Sequence, residues 1–176
     1  PTNMKNKYIA ATGPPSAKLM VLTDRPSLDD VHNERLFTGS EGKQIEKVLS
    51  ESGININNCW QSSVSKYYIP PSPRNGKKIP IYVRAKNIGI NWEEQLSELR
   101  TEISSIQPNA ILAFGSTGLY ATTGKTKINE YRGSILQGCG RKVVATFNPN
   151  QLLNSPDVEF KGYFNRQLMI FDAKRA

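Results

Sequence analysis

Short apolar runs alternate with stretches of helical periodicity along this chain, and the alternation predicts an α/β fold. The expected architecture is a three-layer α/β/α sandwich around a central four-stranded parallel sheet. Two further observations fit it. The runs are continuous, as in strands covered on both faces. Polar residues (Asp24, Ser63, Ser116 and Asn148) stand just past the ends of the four runs. In open parallel sheets, that edge is where ligands sit.

The elements follow in order. Residues 1–17 are polar and rich in Gly and Pro, so they read as a lead-in arm, leaving 18–176 as one domain. Lys18 to Leu22 is the first strand, stopped by the polar, Pro-containing turn Thr23-Asp24-Arg25-Pro26-Ser27. From Ser40 the pattern turns helical, with Ile45, Val48 and Leu49 on one face and Gly53 as the stop. Asn58 to Val64 is the second strand, less apolar than the first. Trp92, Leu96, Leu99, Ile103 and Ile106 recur at helical spacing, opened by Asn91 with Glu94 as a capping box and closed by Pro108. Ala110 to Phe114 is the third strand. Gly115 to Gly118 leads into a small-residue helix that Gly124 ends. Lys142 to Phe147 is the fourth strand, and Gly162 to Ala176 a tail helix with Phe164, Leu168 and Phe171 on one face.

Residues 65–91 differ in kind. Lys66, Arg74, Lys77, Lys78, Arg84 and Lys86 are interleaved with Tyr67, Tyr68, Tyr82 and four prolines, and no acid occurs. Ile79 to Val83 reads as a short strand inside this stretch. The segment is either a surface that tracks a nucleic-acid backbone or a solvated excursion.

Composition narrows the partners. With 176 residues the chain makes one well-cored domain. Lys plus Arg exceed Asp plus Glu by 23 to 15, a formal charge of +8, which favours nucleic acid first and an anionic membrane surface second. No apolar stretch approaches membrane-spanning length and no leader pattern opens the chain, so a soluble, cytoplasmic protein is expected. Cys59 and Cys139 cannot supply four thiolates and read as buried free thiols. His32, the sole histidine, reads as a surface residue without metal partners. No phosphate-binding glycine motif occurs, which discounts a nucleotide-binding enzyme.

Asp24 at a strand mouth, followed across a turn by Phe37, suits a pocket where a planar base stacks on the ring while the acid faces the atom under attack. Phe37 as a plain core residue is the alternative. Five short motifs then occur in a consistent order: Thr23 to Ser27, Leu36-Phe37-Thr38-Gly39-Ser40-Glu41-Gly42, Ala113 to Leu119, Tyr131-Arg132-Gly133-Ser134, and Asn148-Pro149-Asn150-Gln151-Leu152-Leu153. In that order they resemble the uracil-DNA glycosylase superfamily, nearest its family 4 branch and the related domains attached to some phage DNA polymerases.

The resemblance implies a protein that flips a nucleotide out of DNA. Asp24 would be the carboxylate near the sugar and Asn148 the donor at the base O2. Phe37 would stack on the base, with Ser63 at its edge and Arg25, beside the acid, also among the base-binding residues. Leu152, with Gln151, would fill the vacated stack. Lys66, Arg74, Lys77, Lys78, Arg84, Ser116 and Arg132 would hold DNA. Three departures qualify it: Ser63 replaces the base-reading Asn, Asn148 replaces a His, and Arg25 replaces a small residue. The cluster cysteines of family 4 are absent, so no iron–sulfur cluster or other cofactor is expected. Two functions follow as expectations. One is a glycosylase retuned for a modified pyrimidine larger than uracil. The other is a non-catalytic DNA-binding domain accessory to a phage replication polymerase.

Overall fold

The structure, a computed structural model, describes residues 6–150 and 158–176, the side chains of 158–165 excepted. The strands are β1 (Leu19–Thr23), β2 (Trp60–Ser63), β3 (Ala110–Phe114), β4 (Leu136–Gly138) and β5 (Arg141–Thr146), and they form one sheet ordered β2-β1-β3-β5-β4. The first four in that order are mutually parallel, as the sequence predicts. β4 adds a fifth, antiparallel strand on the β5 edge. At three residues it is too short to leave a pattern of its own.

The helices are α1 (Leu28–Asn33), α2 (Ser40–Glu51), α3 (Ile81–Asn87), α4 (Trp92–Ile106), α5 (Ser116–Thr123), α6 (Ile128–Tyr131) and α7 (Val158–Lys174). Successive strand residues point to opposite faces, and two separate cores result. Val21, Leu112, Phe114 and Val144 pack with Ile45, Val48 and Leu49 of α2 and with Met169 and Ile170 of α7. Met20, Leu22, Ile111, Ala113 and Val143 pack with Leu96, Leu99 and Ile103 of α4 and Leu119 of α5. A strand covered on both faces needs an apolar residue at every position, which explains the continuous runs.

Local chemistry sets the boundaries near the sheet's carboxyl edge. Ser27 and Asp30 form a reciprocal capping box that starts α1 four residues after β1 ends. The other Asp30 oxygen accepts from the Thr38 backbone and hydroxyl, both at 2.8 Å, so the turn into α2 is tied to α1. Phe37 adopts φ +61°, and a Cβ on Gly42 would lie 2.3 Å from its Cα. The Phe-Thr-Gly-Ser-Glu-Gly run is thus a packing solution first: only glycine lets α2 start this close to the turn.

Several expectations change. Ile79 to Val83 is not a strand. Pro80 caps a helix, its carbonyl accepting from the Val83 and Arg84 amides at 3.1 Å, and α3 follows. The β-preferring Ile-Tyr-Val triplet yields to this cap. On α7, Leu168 packs half-buried against the core as expected, but Phe171 is exposed while Met169, Ile170, Asp172 and Ala173 are buried; the Phe164 side chain lies outside the described ones. Cys59 is buried and its thiol is pushed up to about 11 by desolvation, but Cys139 is exposed. Asn91 does cap α4, accepting from the Glu94 amide at 3.3 Å. The lead-in segment is docked: Thr12 bridges to Gln61 at the β2 edge, and Ile9 is buried in the core. Among the described residues no helix is long and apolar enough to cross a membrane.

Candidate functional site

The parallel register brings the ends of β1, β3 and β5 side by side, and a cleft of about 1480 Å³ opens there. Asp24 follows β1 directly, Gly115 links β3 to α5, and Asn148 lies two residues beyond β5; all three line the cleft. Asn148 Nδ2 donates to Asp24 Oδ2 at 2.9 Å, and the Asn150 amide donates to Asn148 Oδ1 at 2.9 Å. Gly115 has φ +103°, and a Cβ on it would lie 2.9 Å from Asp24 Oδ1 and 3.2 Å from Asn148 Nδ2. A side chain at 115 would therefore be strained and would push the pair apart.

Asp24 Oδ1 is shielded from solvent and has no hydrogen-bond partner. Burial pushes the carboxyl up to about 6 from its ordinary 3.8; Arg25 pulls it back, and the Glu41 charge, also on the cleft wall, adds to the rise. The Asn148 hydrogen bond and Arg84 lower it by less. Arg25 does not neutralise its neighbour. Its guanidinium lies 5.0 Å from the Tyr68 ring centre and donates to the Pro26 carbonyl at 3.1 Å. Among the described residues, no lysine or arginine stands within ion-pair distance of Asp24. The arrangement is a desolvated carboxylate, ionised at neutral pH, beside an oriented amide.

A family profile described as the uracil DNA glycosylase superfamily matches residues 10–169. The chain belongs to that superfamily. It is 26% identical over 165 residues to a DNA polymerase of Bacillus phage SP01, covering 93% of this chain but 16% of the polymerase. It is also 25% identical over 178 residues to a type-4 uracil-DNA glycosylase of Thermotoga maritima, covering 98% of this chain and 82% of that protein. The iron–sulfur cluster implied by a family 4 resemblance does not fit the residues present. Such a cluster takes four thiolates, and this chain has two cysteines, one buried and one exposed. Among the described residues no group of three or more His, Cys, Asp or Glu could hold a metal.

The superfamily motifs divide between cleft and scaffold. Arg25, Lys78, Arg84 and Ser116 line the cleft with Asp24 and Asn148. Arg74 and Lys77 are exposed on the loop before α3. Phe37 is 9% exposed, belongs to the core cluster and is not among the residues that line the cleft. Ser63 is fully buried with its hydroxyl unpartnered, and it too is absent from the wall.

Two cations assigned to DNA are structural. Lys66 is 1% exposed and pairs with Glu102 at 3.1 Å, donating also to Ser62 Oγ at 2.9 Å and the Ser63 carbonyl at 2.8 Å. No phosphate can reach it. Arg132 makes a two-point pair with buried Asp172, at 3.0 and 2.9 Å, and Thr146 donates to the same carboxylate at 2.7 Å. That cluster joins α7 to the end of β5, just before Asn148. Gln151 and Leu152 lie outside the described residues.

Other cleft residues escaped the sequence reading. Glu41 sits in the first turn of α2, inside a motif read only for its aromatic and glycines. Asn150 orients Asn148 and carried a signal only as part of the Asn-Pro-Asn run. Tyr82 and Tyr120 line the cleft as well; Tyr82 was visible as an aromatic within the acid-free segment, whereas Tyr120 left no signal.

Proposed function

We propose that this protein is a DNA glycosylase that hydrolyses the N-glycosidic bond of a pyrimidine turned out of the base stack into this cleft. The observation that carries the reading is Asp24: desolvated, not ion-paired, and held beside Asn148 at the sheet's carboxyl edge. In the reaction the C1′–N bond breaks and its electron pair leaves with the base. Water oxygen bonds to C1′, and its proton is released. A buried carboxylate stabilises the cationic sugar more strongly than an exposed one, because little solvent screens it. Asn148 has two amide N–H groups; one meets Asp24, and the other is left to donate to the base O2 as charge gathers there.

Arg25 and Ser116, exposed to the cleft, serve phosphates, with the N-terminus of α5 adding its amides. Lys78, with Lys77 and Arg74 on the adjoining loop, extends that surface. The base is uracil or a modified pyrimidine. The volume of the cleft, about 1480 Å³, leaves room for the larger base, whereas Ser63, buried and absent from the wall, contributes no space.

A second reading is a DNA-binding domain that has lost catalysis and serves a replication polymerase. It is favoured by the buried Ser63 in place of a base-reading Asn, and by the phage polymerase relative. The test separating them presents oligonucleotides carrying uracil and a series of modified pyrimidines and looks for alkali-labile abasic sites. Cleavage with any base that is lost in Asp24→Asn supports the enzyme. DNA binding with no cleavage of any base supports the accessory domain.

A further inference from the structure

The last ladder partner on β5 is Thr146, paired with Phe114, so Asn148 stands beyond the edge of the sheet. The three residues before it are nevertheless each held by a contact of their own. The Ala145 carbonyl accepts from the Gly133 amide at 2.9 Å. Thr146 donates its hydroxyl to Asp172 Oδ2 at 2.7 Å, and its carbonyl accepts from the Gly115 amide at 2.9 Å. The Arg132 guanidinium lies over the Phe147 ring, with Cζ 5.4 Å from the ring centre.

These contacts converge on one carboxylate. Asp172 comes from α7, is fully buried, and accepts two bonds from Arg132 at 3.0 and 2.9 Å. A two-point pair fixes the plane of the guanidinium as well as its place, and so seats it over Phe147. Gly133 has φ +72°, and a Cβ on it would collide with Asp172 Oδ1. The Arg-Gly dipeptide therefore acts as a unit: the arginine grips the carboxylate and the glycine makes room for it. A buried ion pair often adds no net stability over an apolar replacement. Its place beside the approach to Asn148 calls for a different reason.

We infer that Arg132 and Asp172 are positioning residues for the cleft: acting through Thr146 and Phe147, they hold Asn148 in place against Asp24. Neither is among the residues that line the cleft. Because Asp172 belongs to α7, the seating of that helix becomes a condition for the Asp24–Asn148 contact. A misplacement of about 1 Å in a reacting group can cost about a hundredfold in rate. The consequence for catalysis rests on the glycosylase reading; the placement of Asn148 does not.

The test follows the side-chain amide of Asn148 by proton–nitrogen NMR, its signal identified by its loss in Asn148→Ala. Single-turnover cleavage of the base panel and DNA affinity are measured alongside. Thr146→Val removes only the hydroxyl, and Arg132→Lys keeps the charge but loses the two-point grip. Thr146→Ser restores the hydroxyl. Ile103→Ala is the control for lost stability alone: Ile103 is buried in the last turn of α4, just before β3 begins, away from the carboxyl edge. Melting temperatures confirm that each variant is folded. In Thr146→Val and Arg132→Lys the amide signal is expected to move toward that of a free asparagine. Cleavage is expected to fall about tenfold or more, with DNA affinity within about twofold. Thr146→Ser and Ile103→Ala should keep the wild-type signal. A wild-type amide signal in either Thr146→Val or Arg132→Lys overturns the inference, and so does an equal change in Ile103→Ala. A wild type that cleaves no base removes the glycosylase reading, and the amide signal alone then decides the positioning.

Discussion

Asn148 Nδ2 lies 2.9 Å from Asp24 Oδ2, joining two strand ends 124 residues apart in sequence. The Asn150 amide fixes the orientation of that contact, because it requires the carbonyl oxygen of Asn148 on its own side and so turns the nitrogen toward Asp24. Gly115 completes the arrangement by carrying no Cβ where one would touch both side chains. The pair leaves Asp24 Oδ1 unsatisfied. A native fold that leaves a carboxylate oxygen buried and unpartnered gives up stability, and such sites are where function is found.

The cost is measurable as a pH dependence. The folded-state value of about 6 lies above the ordinary 3.8, so the native protein binds the proton more tightly than the unfolded chain. This contribution to stability is fully present below about pH 4 and is lost as pH rises through about 6. Asp24→Asn removes the penalty. In urea denaturation the variant is expected to be more stable than wild type at pH 7, by on the order of 2–3 kcal/mol, and to match it near pH 3.5. Equal stability at both pH values would mean that the carboxylate is solvated.

Phe37→Ala tests the assignment of that ring to the core. The expected outcome is a loss of about 3–5 kcal/mol in folding stability, the usual range for truncating a buried phenylalanine. A variant that keeps wild-type stability but loses base-dependent binding would return Phe37 to the cleft.

The lysines divide the same way. Lys77→Glu with Lys78→Glu is expected to flatten the slope of log affinity against log salt by about one to two units. Lys66→Met should leave that slope unchanged and instead destabilise the fold by about 3–5 kcal/mol, because Glu102 is left without its buried partner. A flattened slope in the Lys66 variant would contradict its structural role.

What the sequence revealed and concealed has physical reasons. The parallel strands were legible because both faces are buried, which writes continuous apolar runs into 19–23 and 110–114. Asp24 and Asn148 were legible because polar residues at strand ends mark the carboxyl edge. Lys66 was not: its burial depends on Glu102 on α4 and Ser62 on β2, and nothing near Lys66 in sequence announces either. Arg132 likewise finds Asp172 40 residues away. Phe37 was ambiguous because a glycine-punctuated aromatic suits a base pocket and a tight helix start equally; its place in the core cluster, off the cleft wall, favours the second. Tyr82 sat in a triplet of strand-preferring residues, and Pro80 made it helical.

The most direct measurement of the central claim, that Asp24 is the working carboxylate, is single-turnover cleavage of a uracil and modified-pyrimidine panel against pH. The wild-type rate is expected to rise through about pH 6 as Asp24 ionises and then level. Asp24→Asn and Asn148→Ala are each expected to lose about a hundredfold or more, with DNA affinity nearly unchanged. Cleavage by Asp24→Asn at the wild-type rate, or undiminished DNA affinity with no abasic site from any base tested, would contradict the claim.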